Sequence, residues 1–386
     1  MSNTPLSFDT VKMITKFIIY QNNVPIVKSA VEERGPYSAT KKGTLPMRWE
    51  KIRLGFSLGF LVAVLATLSG CGSQQTDGLE LLNVSYDPTR ELWRDLNDKF
   101  IPTYEQQAGQ KIAIRQSHAS SGSQARSVID GLEADVVTLA LWSDTDALRK
   151  KGLIKDGWEE RLPNHSLAYF STIVFVVRKG NPKGIKDWPD LIKPGIEVIT
   201  PNPKTSGNGR LSFLAAWGAV RENGGSEQDA RDYVTKLYQH TPVLDNGARG
   251  STTTFAQKKI GDVHLTWENE AYLEVAETPG ELEIVYPPVS VRAEPFVAVV
   301  DANVDRKGTR AAAEAYLKFL YTEEAQHILA KHHYRPINED VRKQYAEQLP
   351  ELKLFPITAI AQGWEDAQQK FFANGAVFDS IYQPSR

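Results

Sequence analysis

The chain has 386 residues, with 45 basic and 47 acidic side chains, 41% hydrophobic and 24% charged. That is ordinary globular composition, long enough for two domains or one large one. A net charge of −2 argues against a dominating basic footprint for nucleic acid, and the single cysteine excludes an intrachain disulfide framework and cysteine-rich zinc sites.

The first seventy residues read as targeting sequence. Met47-Arg48-Trp49-Glu50-Lys51-Ile52-Arg53 is short and basic, Leu54 to Leu68 is almost wholly apolar, and Leu68-Ser69-Gly70-Cys71 follows. A basic n-region, an apolar h-region and small residues at the cut make a secretory signal. The ending resembles a bacterial lipobox, in which the cysteine takes a diacylglycerol and becomes the first residue, so Cys71 is the expected lipid attachment. Plain secretion and an uncleaved anchor are the alternatives. The apolar run spans about 22 Å as a helix, short of a hydrocarbon core of about 30 Å. Residues 1–46 are expected to be an over-long start or a cytoplasmic extension, 47–70 the signal peptide and 71–79 a small, polar tether. From Cys71 onward there are 36 basic and 43 acidic residues, a net of −7. Bulk charge would not attract an anion.

After the tether, strand and helix signals alternate. Leu81 to Tyr86 reads as a strand, and Leu92, Leu96 and Phe100 mark one face of a helix. Lys111 to Gln116 alternates Ile112 and Ile114 inward. A helix follows from about Ser123, with Ala125, Val128, Ile129 and Leu132 on one face. Val136 to Leu141 is a continuous apolar run, as in a buried parallel strand. Later strands are expected at Thr172–Val177, Glu197–Thr200, Val263–Thr266, Ile284–Tyr286 and Phe296–Val300, with helices at Arg310–Leu320 and Glu323–Lys331. Repeated β-then-α order predicts an α/β fold with largely parallel sheets. No long linker divides the chain, so two domains would be crossed more than once, with crossings expected after Thr172–Val177 and near Trp267–Ala271.

Four loops share a design in which a strand ends, small residues follow and a helix begins. They are Tyr86-Asp87-Pro88-Thr89-Arg90, Gln116-Ser117-His118-Ala119-Ser120-Ser121-Gly122-Ser123, Asn202-Pro203-Lys204-Thr205-Ser206-Gly207-Asn208-Gly209-Arg210 and Asp245-Asn246-Gly247-Ala248-Arg249-Gly250-Ser251-Thr252. Helix N-termini present unpaired N–H donors and the positive end of the dipole. Each loop alone is an ordinary cap. Four in one α/β chain also fit a convergent anion site.

With Leu82-Asn83-Val84-Ser85-Tyr86-Asp87-Pro88-Thr89-Arg90, Gln116-Ser117-His118, Asn202-Pro203-Lys204-Thr205-Ser206-Gly207, Gly247-Ala248-Arg249-Gly250-Ser251-Thr252 and Trp267-Glu268-Asn269-Glu270, the chain resembles the periplasmic sulfate-binding proteins of ABC importers from about Leu81 to Phe378. The resemblance implies a two-lobed periplasmic binding protein fold of type II, with the ligand cleft between lobes joined by hinge strands. It places lobe 1 at 80–175, lobe 2 at 176–267, a return to lobe 1 at 268–340 and C-terminal helices across the lobes at 341–386. It also implies a sulfate site. Its donors are the Asp87 backbone N–H, the Ser121 hydroxyl, the backbone N–H groups of Ser206, Gly207, Asn208 and Ala248, and the Trp267 indole N–H. Arg249 would stand behind the site, bonding backbone. The family often has glycine where Asn208 stands, so that contact departs from its pattern.

A donor-only site suits sulfate, a dianion with no proton at neutral pH. Phosphate carries a proton that would lack an acceptor, and burying an unpaired polar group costs about 1–3 kcal/mol. The expectation is a monomeric, cofactor-free binding protein, not an enzyme. It would capture sulfate in the periplasm, tethered by lipid, and hand it to an ABC permease. Thiosulfate, molybdate and selenate are the alternative ligands, and a hydrolase on the same scaffold the alternative class. Asp301-Ala302-Asn303-Val304-Asp305 opens like a calcium loop but lacks its glycine and closing glutamate. His332 and His333 are adjacent and share no helix face. Ser121 and His118 lack a nucleophile elbow and an orienting aspartate.

Overall fold

A computed structural model describes residues 78–382 of the protein. The expected signal peptide and Cys71 lie outside the described residues. The chain opens with β1 (Gly78–Tyr86), α1 (Arg90–Ala108), β2 (Lys111–Ala119), α2 (Ser121–Ile129), β3 (Val136–Leu139) and α3 (Trp142–Lys150). β1 runs parallel to β2 and β3. The face of α1 marked by Leu92, Leu96 and Phe100 is buried, together with Trp93, and the helix stops at Gly109 with φ 64°, a left-handed cap that costs glycine nothing. α2 begins at Ser121, two residues earlier than the apolar pattern suggested, because its first turn is polar.

β4 (Tyr169–Phe170) then leads into β5 (Ile173–Arg178), the start of a second sheet. β6 (Val198–Ile199), α4 (Gly207–Glu222), α5 (Glu227–Gln239), the short α6 (Ala248–Thr252), β7 (Val263–Trp267), α7 (Glu268–Glu277) and β8 (Leu282–Val285) follow. The second sheet has the order β6-β7-β5-β8. After β9 (Val289–Val291), β10 (Phe296–Val299) joins the first sheet, giving β10-β3-β1-β2. α8 (Asp301–Lys307), α9 (Arg310–Phe319) and α10 (Glu323–Lys331) come next. β11 (Arg335–Pro336) then pairs with β4, and β12 (Lys353–Phe355) with β9.

Each sheet carries apolar clusters on both faces. Leu81, Trp93, Val136 and Tyr316 share one side of the first sheet, and Val84, Val137 and Leu148 the other. Phe175, Leu265 and Phe213 lie on one side of the second, and Val174, Ile199 and Phe255 on the other. Phe371, Phe372 and Phe378 of the C-terminal segment pack into the Phe213 cluster, and that segment also reaches α3 through Lys150–Glu365 at 2.8 Å.

Two expectations are corrected. The sheets are mixed rather than largely parallel. β5 is antiparallel to both β7 and β8, and β10 is antiparallel to β3. Both strands enter directly from the other layer, without the crossover helix that makes neighbours parallel. The chain also enters the second sheet before Ile173, through β4, and not after Val177. α7 and β8 stay with the second layer, so the return expected at 268 takes place only at Phe296.

Candidate anion site

Four helical starts and one strand end meet where the two sheets face each other. β1 ends at Tyr86, and Asp87-Pro88-Thr89 makes a single 3-10 turn whose proline sits where a helical N–H has no partner. α2 starts at Ser121, α4 at Gly207 and α6 at Ala248, each after an extended residue: Ser120, Ser206 and Gly247. β7 ends at Trp267. A cleft with about 180 Å³ of empty space is lined by Asp87, Ser121, Ser206, Gly207, Asn208, Ala248 and Trp267, together with Tyr86, Pro88, Ser120 and Ala140. Every residue expected to bind is therefore on one wall or another of the same space.

The backbone N–H groups of Asp87, Ser121, Gly207, Asn208 and Ala248 stand at the first or second position of their helical turns, where no intrahelical acceptor exists. The indole Nε1–H of Trp267 is buried with no hydrogen-bond partner among the described residues, and the whole residue is 0% exposed. Its ring packs 5.2 Å from that of Tyr86. Among the described residues no cationic side chain lines the cleft and Asp87 is its one carboxylate; Arg90 holds that carboxylate at 2.9 Å.

The two serines commit opposite groups. The Ser121 hydroxyl donates to Asp144 Oδ2 at 2.5 Å and accepts from the Ala140 N–H at 3.0 Å, so its single proton is committed. Its backbone N–H is the free group. At Ser206 the backbone N–H bonds the Asn202 carbonyl at 2.9 Å. Its hydroxyl oxygen accepts from the Gly209 N–H at 3.3 Å, which leaves the hydroxyl proton to donate. Asn208 turns its side-chain amide away, to the Leu265 carbonyl at 3.3 Å, so the departure from glycine leaves its N–H unobstructed.

Glycine at 207 is a packing requirement. A Cβ there would stand 2.3 Å from the Ala140 Cβ and 3.3 Å from that of Ser121. Across this gap Arg210 donates to Asp144 at 2.7 Å, with both side chains buried. Asp144 thus accepts from Ser121 of its own layer and from Arg210 of the facing one. Arg249 does lie outside the cleft, but it bonds carboxylates rather than backbone: Glu270 at 2.8 Å and Glu91 at 2.7 Å. Burial pushes the Glu270 carboxyl up to about 7 against the opposing pull of Arg249.

The sequence profile of bacterial extracellular solute-binding proteins matches residues 93–335. This chain belongs to that family. It is 52% identical to a sulfate-binding protein of Escherichia coli (strain K12), over 85% of this chain and 98% of the relative. It is 48% identical to a thiosulfate-binding protein of Pseudomonas aeruginosa, over 86% and 99%. Among solved structures, the sulfate-binding protein SubI from Mycobacterium tuberculosis H37Rv superposes with a TM-score of 0.69 at 31% identity, covering 76% of this chain and 99% of that one.

Other groups around the cleft of the solute-binding protein are structural. His118 bonds Ser85 at 2.8 Å and Gln116 at 2.6 Å, so it supplies no base to Ser121. Burial, with the neighbouring Arg90, pulls its pKa down to about 4. Asn269 and Tyr334 both donate to the Pro88 carbonyl, at 3.3 and 2.8 Å, and fix the Asp87 turn. The calcium-like stretch is an ion-pair cluster: Asp301 holds Arg161 and Arg310, and Asp305 holds Lys155 and Arg310. His332 bonds Asp95, and His333 stacks on Tyr272 with ring centroids 3.7 Å apart. Among the described residues no cluster of three or more potential ligands could hold a metal ion. The part played by Asp144 had no signal in the sequence, because it lies 23 residues from Ser121 and in no shared motif.

Proposed function

We propose that this solute-binding protein captures sulfate outside the cytoplasmic membrane and delivers it to an ABC permease, without chemistry on the ligand. The two sheet layers act as lobes that close about the β4 and β9–β10 connections. The donors are the backbone N–H groups of Asp87, Ser121, Gly207, Asn208 and Ala248, the Ser206 hydroxyl and the Trp267 indole. The observation that carries the reading is the buried Trp267 N–H, without a partner among the described residues, at a cleft where helix-start backbone N–H groups converge. Such a set stabilises an unprotonated dianion with dipoles fixed in advance, and avoids the desolvation cost of a buried ion pair. The names of the relatives support sulfate first, with thiosulfate as the second ligand because two relatives are named for it. A lipid on Cys71 would tether the monomer to the membrane.

Calorimetric titration of the purified protein with sulfate, thiosulfate and phosphate tests this. Tight one-to-one sulfate binding with no phosphate heat is expected. A folded protein that binds phosphate as well as sulfate would sink the donor-only argument.

A further inference from the structure

From Cys71 onward the chain is net negative by seven charges, and among the described residues no cationic side chain lines its cleft. An arriving dianion therefore meets repulsion unless a local field helps it. A second, larger cavity, with about 840 Å³ of empty space, lies against the wall of the first. Gly122 and Arg126 of α2, Asp144 and Lys150 of α3, and Lys204 and Arg210 at the start of α4 all line it. Gly122 directly follows Ser121 of the cleft, so the two spaces share the first turn of α2.

Most of its cations are neutralised. Lys150 pairs with Asp146 and Glu365, Lys204 with Asp379, and Arg210 with Asp144. Arg126 is different. It is exposed, its Nη2 donates to the Ser123 hydroxyl at 3.2 Å, and it has no carboxylate partner among the described residues. Its Nη1 lies 3.6 Å from where a Cβ on Gly122 would stand, and Arg210 Nη2 lies 2.8 Å from the same point. Two guanidinium groups from the two facing layers thus flank Gly122. Arg210 uses its Nε and Nη1 on Pro203, Ser143 and Asp144, while its Nη2 has no acceptor among the described residues.

We propose that this cavity is a staging site, in which Arg126 and the free Nη2 of Arg210 hold a doubly charged inorganic oxyanion before it passes to the buried cleft. The inference rests on reading the cleft as an oxyanion site. Arg126 acts on the approach and not on the bound state, because its guanidinium is outside the cleft. A unit charge removed about 8 Å from a dianion in water corresponds to about a five-fold change.

The test is stopped-flow tryptophan fluorescence of the purified protein mixed with sodium sulfate, at ionic strengths set with KCl. At low ionic strength Arg126→Gln is expected to lower the association rate about five-fold and Arg126→Glu further, while Arg126→Lys keeps it near wild type. The dissociation rate should fall by the same factor, so that the equilibrium affinity stays near wild type. The difference should close near 1 M KCl, where screening acts over about 3 Å. Equal association rates in wild type, Arg126→Gln and Arg126→Glu would overturn the proposal, as would an effect confined to dissociation. Failure of the wild type itself to bind sulfate would overturn the reading of the cleft, and is a separate result.

Discussion

Replacing Trp267 by phenylalanine removes one donor and keeps an aromatic ring. In the structure this indole is 0% exposed, lies against Tyr86 and has an N–H at the cleft without a partner among the described residues. A hydrogen bond to a charged group contributes about 1.5–3 kcal/mol, so sulfate affinity should fall about 10- to 150-fold. Stability of the ligand-free protein should change much less. The smaller ring leaves a cavity, which destabilises. It also removes a buried N–H that has no acceptor, which offsets about 1–3 kcal/mol of that loss. Calorimetry gives the affinity without relying on the fluorescence of the deleted indole, and urea unfolding gives the stability. A folded Trp267→Phe protein with wild-type sulfate affinity would refute the assignment of this donor. A large loss of stability with unchanged affinity would show that the indole is a packing group only.

The two serines should separate in the same assays. Ser206→Ala removes a proposed ligand donor and a helix cap, so affinity should fall at least ten-fold, with about 0.5–2 kcal/mol of stability lost. Ser121→Ala leaves a buried Asp144 oxygen and the Ala140 N–H unpaired, costing about 1–3 kcal/mol of stability; calorimetry should find affinity close to wild type, because the backbone N–H remains. Gly207→Ala puts a methyl group 2.3 Å from the Ala140 Cβ; it should abolish tight sulfate binding by blocking closure, while thermal unfolding of the ligand-free protein stays within a few degrees of wild type. Burial raises the Glu270 carboxyl from its ordinary 4.5 to about 7. The folded state therefore holds more protons than the unfolded state between these values, and its stability falls as pH rises through that window. Glu270→Gln lacks that titration, so its Tm relative to wild type should be higher at pH 8 than at pH 5; a pH-independent difference contradicts the raised pKa.

The convergence of these residues on one cleft was legible in the sequence because its signals are local. Asp87-Pro88, Ser120-Ser121, Ser206-Gly207 and Gly247-Ala248 each announce a helix start, and a helix start leaves backbone N–H groups free whatever the rest of the chain does. The resemblance then selected the convergent reading over four separate caps. Asn208 illustrates the same point. A backbone donor depends on the conformation of its turn, so a departure in side chain left it in place, with the amide turned toward Leu265.

What the tertiary structure decided was the hydrogen-bond partner of each polar side chain and the path between layers. Ser121 and Ser206 look alike in sequence, each opening a helix after small residues. Only folding sets Asp144 beside the first and Asn202 behind the second, and this commits the hydroxyl of one and the backbone N–H of the other. Likewise the alternation of strands and helices foretold an α/β chain, but β5 and β10 enter their sheets reversed because each arrives from the opposite layer. Local sequence sets backbone conformation within a turn or two. Which acceptor a buried hydroxyl finds, and which way a strand runs beside its neighbour, depends on segments tens of residues away that packing alone brings together.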